Sequence, residues 1–393
     1  MNWKRTYMQF WHRHPWVTCS FYLFIFIAFF LSFIIGPHPF YCKFKGDSYF
    51  LIWSKEAPNG SNLQQALLEH QFKWEEIDFD LACWPIFHID PYKTHQELSW
   101  LPPGTFTTEA KFILGSYELG RDVLTSCLVG LQQALFLSFL SMCIALILGL
   151  PLGLVGAYYQ KTGIRLSIWS VVGFLLILGI SWYLILLLIS FKILNGFIAI
   201  LFILLLMALI CFSFNLWNRK PGLIIYPDFY VVKSIEFIKS LPLLMIMLIL
   251  LQWIDKPNLL FLSLFIGLFY AFSIAKYTRY IVRSEKEMTY ISVCKSLGYS
   301  DLRIMLKHLL PAAFQTLLPY IALGMGSVVL LEASISFLGL GLPVESISLG
   351  QMMHSARSYP SAWWVVVFPG ACVFWIVYCF QTLGTGYTSK FNE

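Results

Sequence analysis

Few residues of this sequence have the types and spacing that catalysis or metal binding requires. The nine cysteines include no CxxC pair, and most lie in apolar runs, where a thiol acts as a small hydrophobic side chain. His70, His88 and His95 have a spacing that is not diagnostic of zinc. No glycine is followed directly by lysine, so the phosphate-binding loop of nucleoside triphosphatases is missing. We therefore predict no catalytic centre, no cofactor and no metal, and we do not expect this chain to hydrolyse ATP by itself.

Two features could still have a specific role. Cys42 and Cys83 fall in one polar segment, and if that segment faces an oxidising compartment the two thiols could form a disulfide. Glu332 lies near the end of an apolar run, where a carboxylate is costly unless it meets water or a partner. It either extends to the membrane interface or lines an internal cavity, and the sequence leaves both interpretations open.

The elements that must position these residues are apolar helices. Hydrophobic residues make up 58% of the 393 positions and charged residues only 12%, about half the charge of an ordinary soluble domain. Uncharged apolar runs of this length require hydrocarbon around them. We predict an all-α integral membrane protein, a polytopic bundle of about eight transmembrane helices with a small extracytoplasmic insert. The spans are predicted near residues 16–35, 131–157, 166–189, 194–217, 237–254, 258–275, 314–337 and 363–383.

Basic residues near the ends of the spans set the orientation. The predicted cytoplasmic loops hold Lys161, Arg165, Arg219, Lys220, Lys276, Arg279 and Arg283. Both termini are therefore predicted to be cytoplasmic. Residues 1–35 form the N-terminus and first helix, 36–130 the extracytoplasmic insert, and 131–393 the main membrane domain. Residues 230–240 are predicted to form an amphipathic interfacial helix that enters the membrane near Pro242.

A stripe of small residues marks one face of the predicted second span. Gly149 and Gly153, continued by Gly156, allow another helix to approach closely. We expect this face to pack against a neighbouring helix rather than to line a substrate path. Gly324 and Gly326 in the seventh span suggest the same role.

Residues 276–311 form a basic segment rich in helix formers, which we call the coupling segment. Gly298 suits a left-handed stop of one short helix, and Ser300 can cap a second. Two short helices with a tight turn would project a knob that another protein could grip. A basic loop resting on anionic lipid head groups is the alternative, and the residues alone do not decide between the two.

The sequence of this segment resembles a known motif. Tyr290-Ile291-Ser292-Val293-Cys294-Lys295-Ser296-Leu297-Gly298-Tyr299-Ser300-Asp301-Leu302-Arg303-Ile304, followed by Lys307-His308-Leu309-Leu310-Pro311, is similar to the cytoplasmic coupling loop of binding-protein-dependent ABC importer permeases. In that family the loop inserts a short helix into a cleft on an ATPase subunit. The resemblance assigns this role to Ser292, Lys295, Leu297, Gly298, Ser300, Asp301, Arg303, Ile304 and Pro311. The Glu-Ala-Ala of the family motif is Ser292-Val293-Cys294 here, so its acidic residue is missing.

Two further stretches resemble one branch of that family, the second permease subunit of di- and oligopeptide transporters. They lie at 114–124 and at 335–353, and Phe368-Pro369-Gly370 follows the second. The matching positions are Gly115, Glu118, Gly120, Arg121, Asp122, Phe337, Gly339, Gly341, Gly350, Pro369 and Gly370. Residues 166–217 add two helices that the usual six-span permease lacks, and because two spans are added the downstream topology is preserved.

The resemblance implies a permease subunit of an ATP-driven peptide importer in the bacterial inner membrane. Its implied partners are a second permease subunit in a heterodimer, two ATP-binding-cassette ATPase subunits, an extracytoplasmic substrate-binding protein and membrane lipid, with no nucleic acid. Three alternatives stay open: a secondary transporter driven by an ion gradient, a similar ABC importer for nickel or another small solute, and a membrane-embedded enzyme using residues 37–111.

Overall fold

The computed structural model describes residues 15–36, 41–50, 79–85, 96–106, 111–161, 163–166, 223–252, 258–341 and 346–388, together with positions 39, 63, 74, 77, 91, 92 and 94. The chain divides into two compact units. Unit 1 comprises residues 1–150, 237–274 and 314–393, and unit 2 comprises residues 151–236 and 275–313.

Helices dominate the described residues, and the strands are short. In chain order the elements are α1 (Pro15–Ile34), β1 (Tyr41–Phe44), β2 (Asp47–Phe50), β3 (Leu81–Cys83), β4 (Thr105–Phe106), β5 (Lys111–Phe112), α2 (Val123–Tyr158), β6 (Ile164–Leu166), β7 (Leu223–Ile225), α3 (Pro227–Ser240), α4 (Leu243–Gln252), α5 (Leu259–Lys286), α6 (Thr289–Ser296), α7 (Asp301–Phe337), α8 (Leu349–Ser355) and α9 (Trp364–Thr388). Two single 3₁₀ turns occupy Gln96–Leu98 and Glu118–Gly120.

Four of the described helices, α2, α5, α7 and α9, are long and apolar enough to cross a membrane. Helix α1, with 20 residues, coincides with the predicted first span. The predicted class, a polytopic helical membrane protein, is confirmed. The predicted spans at 166–189 and 194–217 lie outside the described residues.

The predicted fifth span, 237–254, is a bent pair of helices. Helices α3 and α4 meet at an angle of 76°, and the break falls just before α4, at Leu241 and Pro242. Proline has no N–H to donate to the preceding turn, so a helix commonly stops there. Helix α3 ends before this proline. It begins at Pro227, earlier than the apolar run, and it has the amphipathic composition predicted for 230–240, with Lys233 and Glu236 exposed.

Two apolar clusters hold the helices of unit 1 together. The first joins α1, α2, α8 and α9 through buried residues such as Phe24, Ile27, Val123, Met352 and Ile376. The second joins α2, α4, α5 and α7 through Leu137, Met247, Ile266 and Val328. These residues face protein rather than lipid, which gives each long helix one fixed side.

A small antiparallel sheet in the predicted insert was not predicted from the sequence. Its strand order is β2-β1-β3, and β1 and β2 form a hairpin whose two turn residues, Lys45 and Gly46, both have positive φ. Its core is formed by Cys42, Phe44, Leu63 and Ile77. The sequence Ser61-Asn62-Leu63-Gln64 predicts the start of a short helix, and except for Leu63 this stretch lies outside the described residues.

The sheet register argues against the disulfide considered for Cys42 and Cys83. Cys83 pairs with Tyr41, whereas Cys42 pairs with Ala82. Successive residues of a strand point to opposite faces, so the two thiols lie on opposite sides of the sheet. Both are free in the structure.

Strands β6 and β7 flank the segment 167–222. They pair antiparallel, with Leu166 opposite Leu223 and Ile164 opposite Ile225. The two ends of the segment 167–222 therefore lie next to each other.

Candidate functional site

The coupling segment begins with the end of α5 and continues into α6. Helix α6 ends in a Schellman motif: the N–H of Gly298 donates to the carbonyl of Lys295 at 2.9 Å, and the N–H of Tyr299 donates to that of Cys294 at 3.1 Å. Gly298 has φ +77°, a left-handed conformation that side chains other than glycine rarely adopt. The predicted stop at Gly298 is therefore confirmed, with a defined geometry.

The predicted cap at Ser300 is also confirmed. Its Oγ accepts a hydrogen bond from the backbone N–H of Arg303 at 3.4 Å. The second helix, however, is not short. Helix α7 runs without interruption from Asp301 to Phe337, so the prediction of two short helices followed by a separate span is wrong in its second half.

Pro311 lies inside this continuous helix. Proline cannot donate to the carbonyl four residues earlier and crowds it. The structure places a π-helical turn, Met305–Leu309, directly before this position. A π turn changes the hydrogen-bond spacing locally and lets the helix continue through Pro311.

Unit 2 has its own apolar core beneath the turn. It includes Leu154 and Ala157 of α2, Val282 of α5, Ile291 of α6 and Ile304 of α7. The inward-facing Ile291 and Ile304 are almost completely buried. This core fixes the angle between α6 and α7, so the turn is a rigid projection rather than a loose loop.

The opposite side of the turn is exposed and apolar. Val293, Leu297 and Leu302 are 56%, 65% and 62% exposed, and Leu306 continues the patch along α7. A Cβ added at Gly298 would meet nothing within 4 Å. Exposed apolar patches that rest on a rigid, capped element are typical of binding surfaces.

Ser292 occupies the position where the family has a glutamate. Its hydroxyl donates to the carbonyl of Thr289 at 2.7 Å, and the hydroxyl of Ser296 donates to that of Ser292 at 3.1 Å. Both side chains bond to their own helix. The exposed face of α6 therefore presents no carboxylate where the family motif has one.

Tyr158, the last residue of α2, connects three parts of the coupling segment. Its hydroxyl donates to Oδ1 of Asp301 at 2.5 Å, and its backbone carbonyl accepts from Nζ of Lys286 at 2.5 Å. The ammonium groups of Lys286 and Lys295 lie 5.1 and 5.6 Å from the centre of its ring. Tyr158 is 3% exposed, so α2 is firmly attached to α5, α6 and α7 at this point.

A second attachment joins α3 to α5. Arg279 makes a two-point ion pair with Asp228, from Nη2 to Oδ2 at 2.8 Å and from Nε to Oδ1. Both side chains are largely buried, at 14% and 12% exposure. Paired guanidinium and carboxylate groups in this geometry are strong and directional. The ion pair thereby fixes the start of α3 to α5 within unit 2.

We call the two stretches at 114–124 and 335–353 the outer motifs, after their predicted position. The first, around Gly115 to Asp122, is a tightly bonded turn. Gly115 has φ +86°, and a Cβ there would lie 2.7 Å from the carbonyl of Leu101 and 2.9 Å from Nε1 of Trp364. That indole donates to the carbonyl of Ser116 at 3.0 Å. Gly120 also has positive φ, at +69°. These glycines are required by backbone geometry.

Asp122 caps the second span. Its Oδ2 accepts from the backbone N–H of Thr125 at 2.8 Å, which satisfies one of the free donors at the start of α2. Burial raises the pKa of Asp122, although the hydrogen bond from Thr125 opposes the shift. Asp122 is thus a structural residue.

The second outer motif packs against the first. Glu118 and Arg121 line a cavity of about 20 Å³ together with Ser348 and Gln351 of the α8 region. Ser348 caps α8 by accepting from the N–H of Gln351 at 3.1 Å.

The remaining motif positions serve close packing. Gly339 has φ +80°, and a Cβ there would meet the ring of His354 at 2.9 Å. Side chains at Gly341 and Gly350 would overlap Ser336 and the backbone of Ala333, respectively. Phe337 stacks under the guanidinium of Arg357 at 4.3 Å, and Pro369 and Gly370 lie within α9.

Glu332 is buried within the described part of the chain. It is 3% exposed, and the hydroxyl of Ser336 donates to its Oε1 at 2.8 Å. Ser336 is thus a hydrogen-bond partner for this carboxylate.

The glycine stripe packs as predicted. A Cβ at Gly153 would lie 2.5 Å from the carbonyl oxygen of Ala275, and one at Gly149 would overlap the carbonyl of Ala271. In unit 1, a Cβ at Gly324 would collide with Met142. The close approach of α2 to α5 depends on Gly149 and Gly153.

Sequence reasoning missed Tyr158 and the pair of Asp228 and Arg279 as functional candidates. Tyr158 is 143 residues from Asp301, and Asp228 is 51 residues from Arg279. No local pattern connects such positions. Among the described residues no cluster of histidine, cysteine and carboxylate groups could hold a metal ion, and His70, His88 and His95 fall outside them.

Comparison with known proteins agrees with the geometry. Residues 230–385 match the family described as "Binding-protein-dependent transport system inner membrane component". The match contains the coupling segment and the helices on either side of it.

Individual relatives are peptide permeases. The dipeptide transport system permease protein DppC of Haemophilus influenzae is 22% identical over 300 residues, which cover 76% of this chain and 80% of that protein. The di/tripeptide transport system permease protein DppC of Pseudomonas aeruginosa is 25% identical over 289 residues, 73% of each chain. The glutathione transport system permease protein GsiD of Escherichia coli is 35% identical over 120 residues, 29% of this chain and 39% of that protein.

Proposed function

We propose that this chain, whose residues 230–385 carry the inner membrane component domain of binding-protein-dependent transport systems, is one permease subunit of an ATP-driven peptide importer. The observation that carries the proposal is the rigid turn between α6 and α7, which has a buried core beneath it and an exposed apolar surface above it. The similarity to dipeptide permeases extends over about three quarters of the chain.

The turn is built to transmit force. When ATP binding closes two partner ATPases on each other, a helix seated in one of them moves with it. Helix α6 is joined to α5 by only two residues, Glu287 and Met288, and to α7 by the capped turn at Gly298 to Ser300. Both neighbours continue as membrane spans. A displacement of α6 therefore reaches the spans directly, and the pathway opens to alternate sides.

The proposed assembly follows from this role. The chain forms half of a translocation pathway in a heterodimer with a second permease, and it binds one of two ATPase subunits on the cytoplasmic side. An extracytoplasmic substrate-binding protein delivers the cargo. Both termini lie in the cytoplasm, ATP hydrolysis takes place in the partner subunits, and residues 36–130 form the extracytoplasmic insert.

Peptide is proposed as the cargo because the relatives with the broadest coverage are di- and tripeptide permeases. The cargo and the energy source can be tested together in inside-out vesicles that carry a tagged form of the chain. In such vesicles an importer moves dipeptides from the lumen, which corresponds to the extracytoplasmic side, to the outside. ATP-dependent movement in this direction that continues after proton and sodium gradients are collapsed supports the proposal. Movement that stops with the gradients would indicate a secondary transporter.

The direct test is to purify the tagged chain from gently solubilised membrane and identify its partners. A pair of ATPases and a sister permease are expected.

Replacing Gly298 with glutamate should preserve membrane insertion, since the strain of a side chain in the left-handed region is only about 1–2 kcal/mol and the added Cβ meets no atom within 4 Å. The carboxylate would nevertheless lie in the exposed apolar surface of the turn, which we propose docks on the ATPase, and it would uncouple transport from ATP hydrolysis. Wild-type transport by Gly298→Glu would disprove the assignment of the turn.

A further inference from the structure

We propose that the turn between α6 and α7 docks through Arg303, and that the ATPase cleft receiving it carries a carboxylate opposite this arginine. The proposal rests on the function proposed above. It adds the chemistry by which the partner is recognised, which the missing glutamate at Ser292 leaves undefined.

Arg303 lies against an aromatic ring of the turn. Its guanidinium carbon lies 4.3 Å from the centre of the Tyr299 ring, and that ring stacks on His308 with a centroid distance of 6.3 Å and an interplanar angle of 19°. No carboxylate among the described residues pairs with Arg303. A guanidinium that is fixed by an aromatic ring and still has free N–H donors is well prepared to bind a carboxylate with two hydrogen bonds.

Two carboxylates of the coupling segment already accept hydrogen bonds within the chain. Asp301 accepts from the hydroxyl of Tyr158, and Glu285 accepts from the hydroxyl of Tyr290 at 2.8 Å. Partial burial and the neighbouring Glu285 raise the pKa of Tyr290 to about 12, so its hydroxyl stays a donor at neutral pH. The exposed carboxylate of Glu287 lies before the start of α6, at the end away from the turn.

Apart from the exposed Asp301, whose Oδ1 accepts from Tyr158, the surface that remains for a partner is apolar and cationic. Val293, Leu297 and Leu302 form its apolar part, and Arg303 and Lys307 are exposed beside them. Lys295 is also exposed, although its ammonium lies near the Tyr158 ring. An apolar cleft with carboxylates at its edge is complementary to this surface in both shape and charge.

The first experiment measures how much ATPase co-purifies with tagged variants from mildly solubilised membranes at increasing salt. For Arg303→Glu we expect recovery per permease to fall at least about tenfold, the factor that 1.4 kcal/mol of lost binding produces. Arg303→Lys keeps the charge but loses the planar guanidinium, so its ATPase recovery should lie between that of the wild-type chain and that of Arg303→Glu. Arg283→Glu, which reverses an exposed arginine on α5 away from the turn, is the matched control and should leave recovery unchanged.

The second experiment identifies the opposing group. A carbodiimide joins a carboxylate to an amine at zero length, and a guanidinium does not take part. The Arg303→Lys variant should therefore give a crosslink between position 303 and an aspartate or glutamate of the ATPase, located by mass spectrometry. The wild-type protein should lack a crosslink at that position.

The outcomes separate this inference from the proposed function. If the wild-type chain recovers no ATPase, the proposed function fails and the inference with it. If the wild-type chain recovers ATPase but Arg303→Glu recovers as much, or Arg283→Glu loses as much, the inference alone is wrong. A position-303 crosslink that is absent, or that leads to lipid, also overturns it.

Discussion

Replacing Tyr158 with phenylalanine should weaken the transmission of ATP hydrolysis to transport while leaving the ATPase bound. The change removes only the hydroxyl that donates to Asp301. The ring remains, and with it the contacts of Lys286 and Lys295. Tyr158 lies beneath the turn and is 3% exposed, so it does not belong to the docking surface.

The size of the effect follows from the geometry. A hydrogen bond to a charged group contributes about 1.5–3 kcal/mol, and because Asp301 is exposed, water replaces part of the lost bond. We therefore expect a loss near the lower limit, about 1–1.5 kcal/mol. A loss of 1.4 kcal/mol lowers the equilibrium ratio of the attached to the detached state about tenfold. The end of α2 would then follow the movement of α6 less faithfully.

The assay is the amount of peptide imported per ATP hydrolysed by the complete transporter in proteoliposomes. Tyr158→Phe should hydrolyse ATP and retain its ATPases, but the ratio should fall several-fold. Tyr159→Phe removes the hydroxyl of the adjacent tyrosine and serves as the control.

A double-mutant cycle with Asp301→Ala tests whether the two residues act together. The second substitution should add little once Tyr158 has been changed. An unchanged import ratio in Tyr158→Phe, or fully additive effects in the cycle, would refute the attachment of α2 through this bond.

Two further predictions concern packing and topology. Gly153→Ala should destabilise the protein by about 1–3 kcal/mol because the new methyl group meets backbone. Gly156→Ala should destabilise it less, because its Cβ would lie 3.3 Å from a Val231 methyl group. Thermal unfolding of both variants in one detergent compares them. Ser296→Cys should react with an impermeant thiol reagent in inside-out vesicles and not in intact spheroplasts; the native Cys294 is 8% exposed and lies 3.9 Å from His308, so it gives little background.

The parts of the site that sequence could predict are those governed by neighbouring residues. A glycine at a left-handed position and a serine three residues before an N–H both act within one turn of helix, and Gly298 and Ser300 have these roles in the structure. The glycine stripe was equally accessible because Gly149 and Gly153 are one helical turn apart. Each of these signals is local.

The parts that sequence could not predict depend on distant pairing or on compensation. The bond between Tyr158 and Asp301 joins residues far apart in the chain, and both are ordinary residue types for their surroundings. The second short helix predicted after Gly298 is instead the start of the long helix α7, in which a π turn, Met305–Leu309, precedes Pro311. The sheet around Cys42 consists of strands of only three or four residues, which are too short to show alternation clearly.

The paired strands β6 and β7 allow a decisive test of the predicted insertion. Leu166 lies opposite Leu223, so the chain can be joined there by an Asn-Gly turn, which suits a two-residue hairpin, with residues 167–222 removed. We expect the shortened chain to keep its C-terminus in the cytoplasm, as reported by a fused reporter enzyme, because the sequence predicts an even number of spans in that segment. We also expect it to retain ATPase, because the described residues that form the core of unit 2 and the turn at Gly298 all lie outside the deleted segment. A C-terminus on the opposite side would show that the segment contains an odd number of spans, and loss of the ATPase with correct topology would show that the segment itself takes part in docking.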